Sequence, residues 1–427
     1  MSHISTSAPR PASTSWRIVL MLMIFAALGH LNREGMAVAG NSIFIEKLNL
    51  SATQMGWVYS SLLIAYTIGM LPSGWLIDRI GSARTLTLFG VTMGTFVMLT
   101  GMIGWYTSDP NQIWLALIVV RSFAGIGCSP LHPGAAHMVS ESVESRHQPI
   151  ANGLRTAGAL LGVAFSYPIL GWMFDHMSWP MVFICSGGAL IIYGLIWGGL
   201  TRSTAPAPAR DNSAVESGST GSNWLLFKDG RLFMLTLSYM AYGYFQYLFF
   251  YWMEYYFLEV LKVPKGESQM AAFWINIAQG VGMAVGGMST SLACAAFGLR
   301  RGRQCIVIAG MSLGAAFALI AVNVQGLTSV AICLAISMAS IGMCEGVFWT
   351  TATDIGGRRG GFSGAFMNTG GNVGGLISPV LTPIMSKYLG WSGAIGVGCA
   401  ICLLGGAIWL LIPTRDQTRA DAGVSTT

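Results

Sequence analysis

Arg33 and Arg121 lie inside long apolar stretches, residues 18–40 and 113–138. A guanidinium is the side chain best suited to grip a planar carboxylate through two parallel hydrogen bonds. At the centre of a lipid-facing helix an arginine costs roughly 2.5–3.5 kcal/mol on insertion scales, so both are expected to face a polar interior. Three acids share such surroundings: Glu34, Glu345 and Glu254. A carboxyl there is a candidate for taking up and releasing a proton. Glu34 sits at the level of Arg33 and ranks first, yet neighbours in a helix do not face each other, so it is a poor structural partner for that arginine.

Other chemistry-bearing residues are weaker. Tyr244, Tyr247, Tyr251 and Glu254 recur at spacings that place them on one helix face, as the lining of a wet cavity would. His30, His132 and His137 are the side chains that titrate near neutrality, but lone helical histidines are ordinarily structural. Cys128 and His132 have the i,i+4 spacing of a thiolate pair. No third orienting group and no soluble catalytic domain accompanies them, so no enzyme activity is expected.

The elements that must hold these residues are set by composition. The chain is 53% hydrophobic and 9% charged, with a mean hydropathy of +0.60, against about 25% charged residues in an ordinary soluble domain. A membrane crossing takes ~20 apolar residues. Such stretches fall near 18–40, 55–77, 84–105, 113–138, 150–174 and 180–200, then near 232–258, 269–297, 304–324, 328–351, 361–385 and 391–412. The expected fold is therefore an all-α membrane protein with twelve transmembrane helices. The polar segment 201–231 between the sixth and seventh is rich in Pro, Ser, Ala and Gly and reads as a linker. It divides the chain into bundles at 16–200 and 232–413, flanked by tails at 1–15 and 414–427 that are expected to be disordered. The first tail lacks the short apolar core and small-residue cleavage site of a removable signal peptide.

With the N-terminus inside, sixteen of the 23 Lys and Arg fall on the cytoplasmic side, four outside and three within spans. That asymmetry supports both termini in the cytoplasm and explains most of the net charge of +6, so no nucleic-acid partner is implied. The eight cysteines lie in or beside spans; neither a metal site, a disulfide framework nor a cofactor is expected.

After the second span the chain reads Gly74-Trp-Leu-Ile-Asp78-Arg79-Ile-Gly81-Ser-Ala-Arg84. Gly74 permits close helix approach. Asp78 can accept from a neighbouring helix N-terminus or pair with Arg79 or Arg84. A weaker echo follows span eight, Gly286-Gly287-Met-Ser-Thr290 running on to Arg300-Arg301-Gly-Arg303, with Thr290 at the acidic position. Internal symmetry of this sort is typical of carriers built from repeats. The first copy matches G-x-L-x-D-R-x-G-x-R, and on it the chain resembles the major facilitator superfamily over essentially its whole length. This implies two pseudo-symmetric six-helix halves.

Within that superfamily, Arg121-Ser-Phe-Ala-Gly125-Ile-Gly127-Cys128-Ser-Pro130 in span four is similar to the R-x-x-x-G-x-x-x-x-P signature of the anion:cation symporter family. The aromatic run Tyr244–Tyr255 of span seven also fits that family, as do Gly346-Val-Phe348-Trp349 and Gly364 to Gly375 with Asn368 and Asn372. The resemblance implies a plasma-membrane carrier, in a bacterium the inner membrane, that imports a small organic anion such as a sugar acid or aromatic acid with proton or sodium entry. A monomer is expected. Arg33, Arg121, Tyr66, Tyr247, Tyr251, Trp349, Asn368 and Asn372 would bind substrate; Gly74, Asp78, Arg79, Gly81 and Arg84 would gate. Proton-coupled members carry acids where this chain has Asn32 and Cys128, which leaves Glu34, Glu345 and Glu254 to supply the coupling carboxyl. An uncoupled facilitator or exchanger and a proton-driven exporter remain alternatives; a receptor that does not transport would need a soluble signalling part.

Overall fold

In hydrocarbon an apolar run can satisfy its backbone only by coiling into a helix or closing a barrel, and the described residues are helical almost throughout. The computed structural model describes residues 14–45, 47–50, 52–201 and 228–412. Most of the expected linker and both expected tails lie outside these residues, and so does the side chain of Glu254.

The first half contains α1 (Trp16–Ala39), α2 (Ala52–Ile80), α3 (Ser82–Tyr106), α4 (Pro110–Cys128), α5 (Leu131–Ser142), α6 (Gln148–His176) and α7 (Trp179–Thr201). The second contains α8 (Gly230–Tyr255), α9 (Lys265–Ala321), α10 (Leu327–Gly342), α11 (Glu345–Gly356) and α12 (Gly360–Ile408). A straight helix of the 57 residues in α9 would run about 85 Å, far beyond one bilayer core. It turns back at Gly298, with φ of 81°, and α12 does so at Gly390, with φ of 69°. Only glycine takes such left-handed backbone without strain. Counting those two hairpins, and α4–α5 and α10–α11 as one crossing each, gives twelve crossings. Among the described residues nine helical runs are long and apolar enough to cross a membrane by themselves; the tyrosine-rich α8 and the first part of α12 complete the set.

Each half buries its own core. One cluster is drawn from residues 18–197 around Phe25, Phe89 and Trp197. The other is drawn from residues 235–412 around Phe348, Trp349 and Trp409, and Ala136 is its one member from the first half. Asp229 caps α8 by accepting from the backbone of Arg231, whose guanidinium also donates to it at 3.1 and 2.8 Å. Those bonds hold the Asp229 carboxyl below the usual carboxylate range and anchor the chain where the second half begins.

The fourth crossing of each half is broken at mid-length. Between α4 and α5 stands Pro130, which has no N–H to continue the ladder and whose ring crowds the preceding turn; Ser129 pins the break to α2 by donating to the carbonyl of Gly69 at 3.1 Å. Between α10 and α11 the helix opens at Met343 and Cys344. His132 and Glu345 therefore occupy the first turns of the restarted helices, in matching places. Averaged over a span, the hydropathy stays high across both breaks, so the crossings read as continuous although Pro130 and Glu345 lie within them. Cys399 and Cys402 form one C-x-x-C spacing inside α12, but both are buried free thiols, and no metal-binding cluster occurs among the described residues.

Candidate functional site

The two halves meet most closely at the end carrying the α2–α3 turn. Asp78 accepts at Oδ1 from the backbone N–H of Gly361 at 2.9 Å and at Oδ2 from that of Phe362 at 3.0 Å. These are unpaired donors at the positive end of α12, so a carboxylate is the natural cap. Of the partners open to Asp78 in the sequence, the neighbouring helix N-terminus is the one realised. Gly74 lets α2 come this close: a Cβ there would stand 2.7 Å from that of Ala365 and 2.8 Å from the Cα of Phe362. Arg79 lies over the ring of Trp75 at 4.9 Å, Gly81 turns the chain with φ of 89°, and Arg84 is exposed.

The second half has no matching carboxylate latch. Thr290 donates back to the carbonyl of Gly286 within its own helix, and Arg303 pairs with Asp354 at 2.6 Å within its own half. The seal on that side is made of Ser291 donating to the carbonyl of Arg146 at 2.7 Å and Asn152 donating to Thr350 at 3.2 Å. Asp78→Ala should thus open this end, because two charge-assisted bonds worth roughly 1.5–3 kcal/mol each are lost. Spin labels at Glu144 and Arg301 should show the separated population rising about a hundredfold relative to the closed one, as ~3 kcal/mol implies; an unchanged distance distribution would remove the latch role.

Beyond the seal, at mid-height, lies a cavity of about 110 Å³, room for several waters or a small polar solute. Arg33 reaches it from α1 and Tyr66 from α2, with the guanidinium 5.4 Å above the tyrosine ring. From the second half come Tyr247, Trp349, Asn368 and Asn372. Asn368 donates to the Tyr66 hydroxyl across the halves at 3.2 Å. Glu345 is the one acid on this wall; its Oε1 accepts from Tyr239 at 3.0 Å and from Trp349 at 2.8 Å, while Oε2 has no partner among the described residues.

Several expected residues stand elsewhere. Arg121 does not line the cavity: it is 3% exposed and donates to the backbone carbonyl of Arg33 at 3.1 Å, so it braces α1 rather than presenting its charge. Equal depth along two helices says nothing about which way each side chain turns, and here the turn separates the pair. Glu34 is half-buried beside Arg33 but off the cavity wall. Tyr251 is 43% exposed and Tyr244 is packed into the second core. The inward face of α8 is Tyr239, Tyr242, Gly243 and Gln246, with Tyr247 at its margin, which is rotated from the face that the tyrosine spacing suggests.

The sequence reading missed a chain of side chains behind Arg33. His30 and His132 face each other through their Nε2 atoms at 3.0 Å, and Nδ1 of His132 lies 2.9 Å from a guanidinium nitrogen of Arg155. Arg155 is fully buried and lies over the ring of Trp349 at 5.0 Å. The available signals were His30 three residues before Arg33 and a third in-span arginine.

The Major Facilitator Superfamily profile matches residues 22–369. A probable galactarate/D-glucarate transporter, GudP, of Bacillus subtilis (strain 168) is 30% identical over 192 residues, 45% of this chain and 42% of that protein. The D-galactonate transporter of Escherichia coli O6:H1 is 31% identical over 198 residues, 45% of this chain and 43% of that one. The chain thus spans under half the length of these two relatives. A probable L-galactonate transporter of Escherichia coli (strain K12) is 28% identical over 335 residues, covering 75% and 71% of the two chains. Among solved structures, the FucP transporter in its outward conformation aligns with a TM-score of 0.70 at 15% identity over 93% of this chain and 98% of that one. A bacterial homologue of the iron transporter ferroportin in its outward-facing state gives 0.71 at 15%, over 93% and 99%. At such identity the structural likeness speaks to the fold alone. Twelve helical crossings in two separately cored halves, a sealed end and a profile covering most of the sequence lead to one assignment: this multi-pass membrane protein belongs to the Major Facilitator Superfamily.

Proposed function

We propose that the chain is a secondary carrier for small sugar-acid anions, working by alternating access, with proton entry as the drive. The carrying observation is Arg33: its guanidinium reaches the cavity and lies over the Tyr66 ring, with Tyr247 and its chain neighbour Glu34 nearby but no hydrogen bond or close ion pair among the described residues. A cation so placed has a vacant fork for a carboxylate, and its desolvation is offset when an anion arrives. Hydroxyl and amide groups of Tyr66, Gln246, Tyr247, Asn368 and Asn372 around it suit a polyhydroxylated anion. The names of the relatives agree with this reading.

Both halves supply ligands, so a bound anion links them and favours their rocking about the site. Under the positive-inside orientation the sealed end is cytoplasmic and both termini are in the cytoplasm, so the conformation is closed inward and the cavity belongs to the outward-facing state. In a bacterial cell the carrier would stand in the inner membrane. Glu345 is the acid placed to exchange the coupling proton, because it alone lines the cavity and keeps one oxygen without a partner.

Liposomes holding the purified protein and loaded with galactonate should take up labelled galactonate by counterflow, and an inward proton gradient should drive accumulation. No counterflow with any aldonate, uronate or aldarate would overturn the carrier reading. Counterflow without a response to the gradient would replace symport by an uncoupled facilitator, the reading favoured by Asn32 and Cys128.

A further inference from the structure

The hydrogen bonds behind Arg33 fix the protons on two histidines. A guanidinium only donates, so Nδ1 of His132, 2.9 Å from Arg155, must be an unprotonated acceptor. The proton of that ring is then on Nε2, and it donates to Nε2 of His30 at 3.0 Å. His30 therefore accepts at Nε2 and carries its own proton on Nδ1. A second proton on either ring would set two donors against each other, so the pair is held neutral. The Nδ1–H of His30 has no partner among the described residues, and the ring lines the cavity.

His30 and Arg33 are three residues apart on α1, so they share one face with Cβ atoms about 5–6 Å apart. Arg33 offers a charged fork and His30 a single neutral donor beside it. When the fork takes both oxygens of a carboxylate, the nearest remaining acceptor on a sugar acid is the hydroxyl on the adjacent carbon.

We infer that His30 selects anions bearing a 2-hydroxyl group by donating its Nδ1–H to that oxygen, and that Arg155, through His132, is the positioning residue that fixes this proton. The inference rests on the anion-carrier reading. A neutral donor suits discrimination better than an imidazolium would, because a second positive charge would attract any carboxylate, hydroxylated or not. Without the 2-hydroxyl, the N–H is left without a partner from the bound anion, and such a deficit is how sites reject deoxy analogues.

The test compares gluconate with its 2-deoxy analogue as competitors of counterflow in liposomes. The wild-type protein should prefer gluconate by about tenfold, the effect of one buried hydrogen bond. His30→Leu should bring the ratio close to one mainly by weakening gluconate, and His30→Gln, which keeps a donor, should restore part of it. Arg155→Met should lower the ratio with His30 intact. In protein labelled with ¹⁵N at histidine, the signal lost in His30→Leu should be that of a neutral ring protonated at Nδ1, and in Arg155→Met that signal should show mixed tautomers. A wild-type ratio near one, an equal loss of both competitors in His30→Leu, or a His30 ring protonated at Nε2 would each overturn the inference. Absence of counterflow with every carboxylate would instead strike the carrier reading itself, and the selectivity claim would fall with it.

Discussion

Arg33→Ala should lower kcat/KM for a sugar acid in counterflow by about 10²- to 10³-fold while the protein still folds. The argument is a difference between two arginines that look equivalent in the sequence. Arg33 turns into the cavity, where the acid near it is its own chain neighbour Glu34; on the anion-site reading its removal deletes a charged, two-pronged contact to the substrate and leaves the carboxylate desolvated and unpaired. Truncating one partner of such a pair costs roughly 2–5 kcal/mol, and each 1.4 kcal/mol is about tenfold. Arg33→Lys should recover only part of the loss, because an ammonium keeps the charge without the planar fork. Arg121→Met should behave differently. It leaves the carbonyl of Arg33 without the donor it has at 3.1 Å, a loss of about 1–3 kcal/mol that appears mainly as a lower melting temperature in detergent. Counterflow that survives Arg33→Ala unchanged would remove its role as the anion site.

Glu345→Gln should abolish uphill accumulation driven by a proton gradient and leave counterflow working. The amide is nearly isosteric and its oxygen can still accept from Tyr239 and Trp349, as Oε1 of Glu345 does at 3.0 and 2.8 Å, so the wall keeps its shape. What it cannot do is take up and release a proton. Exchange needs no net proton movement and persists; accumulation does and stops. If Glu345→Gln still accumulates substrate and Glu34→Gln does not, the coupling proton belongs to Glu34, beside Arg33 on α1.

The crossings were legible in the sequence because hydropathy reports the one interaction that dominates in a bilayer. The stretch 150–174 corresponds to Gln148–His176 and 180–200 to Trp179–Thr201. Two crossings hid their breaks, since the windows around Pro130 and Met343 stay apolar on average although Ser129, Pro130, His132 and Glu345 lie within them. Site residues read from family likeness and depth fared unevenly for one reason: depth is a single coordinate, while facing depends on rotation about the helix axis at about 100° per residue. Arg121 has the expected type and turns away from the cavity, and Tyr251 lies outside its lining against Tyr247; Tyr239 and Gln246 turn toward it without any spacing that singled them out. Arg155 and His132 belong to different helices 23 positions apart. Their contact is a product of tertiary packing, which no local pattern encodes.

The separation of the two apolar cores, with Ala136 the one first-half residue in the second core, would make durability and working posture independently adjustable in this protein. On the alternating-access reading, rocking one half against the other would leave both cores packed, and the balance between postures would be governed by a handful of polar contacts such as those of Asp78 and Asn152. Substitutions along that seam should then retune how long such a carrier waits on each side of the membrane without bringing it nearer to unfolding. Substitutions around Trp197 or Trp409 would weaken one half while leaving the waiting times almost untouched.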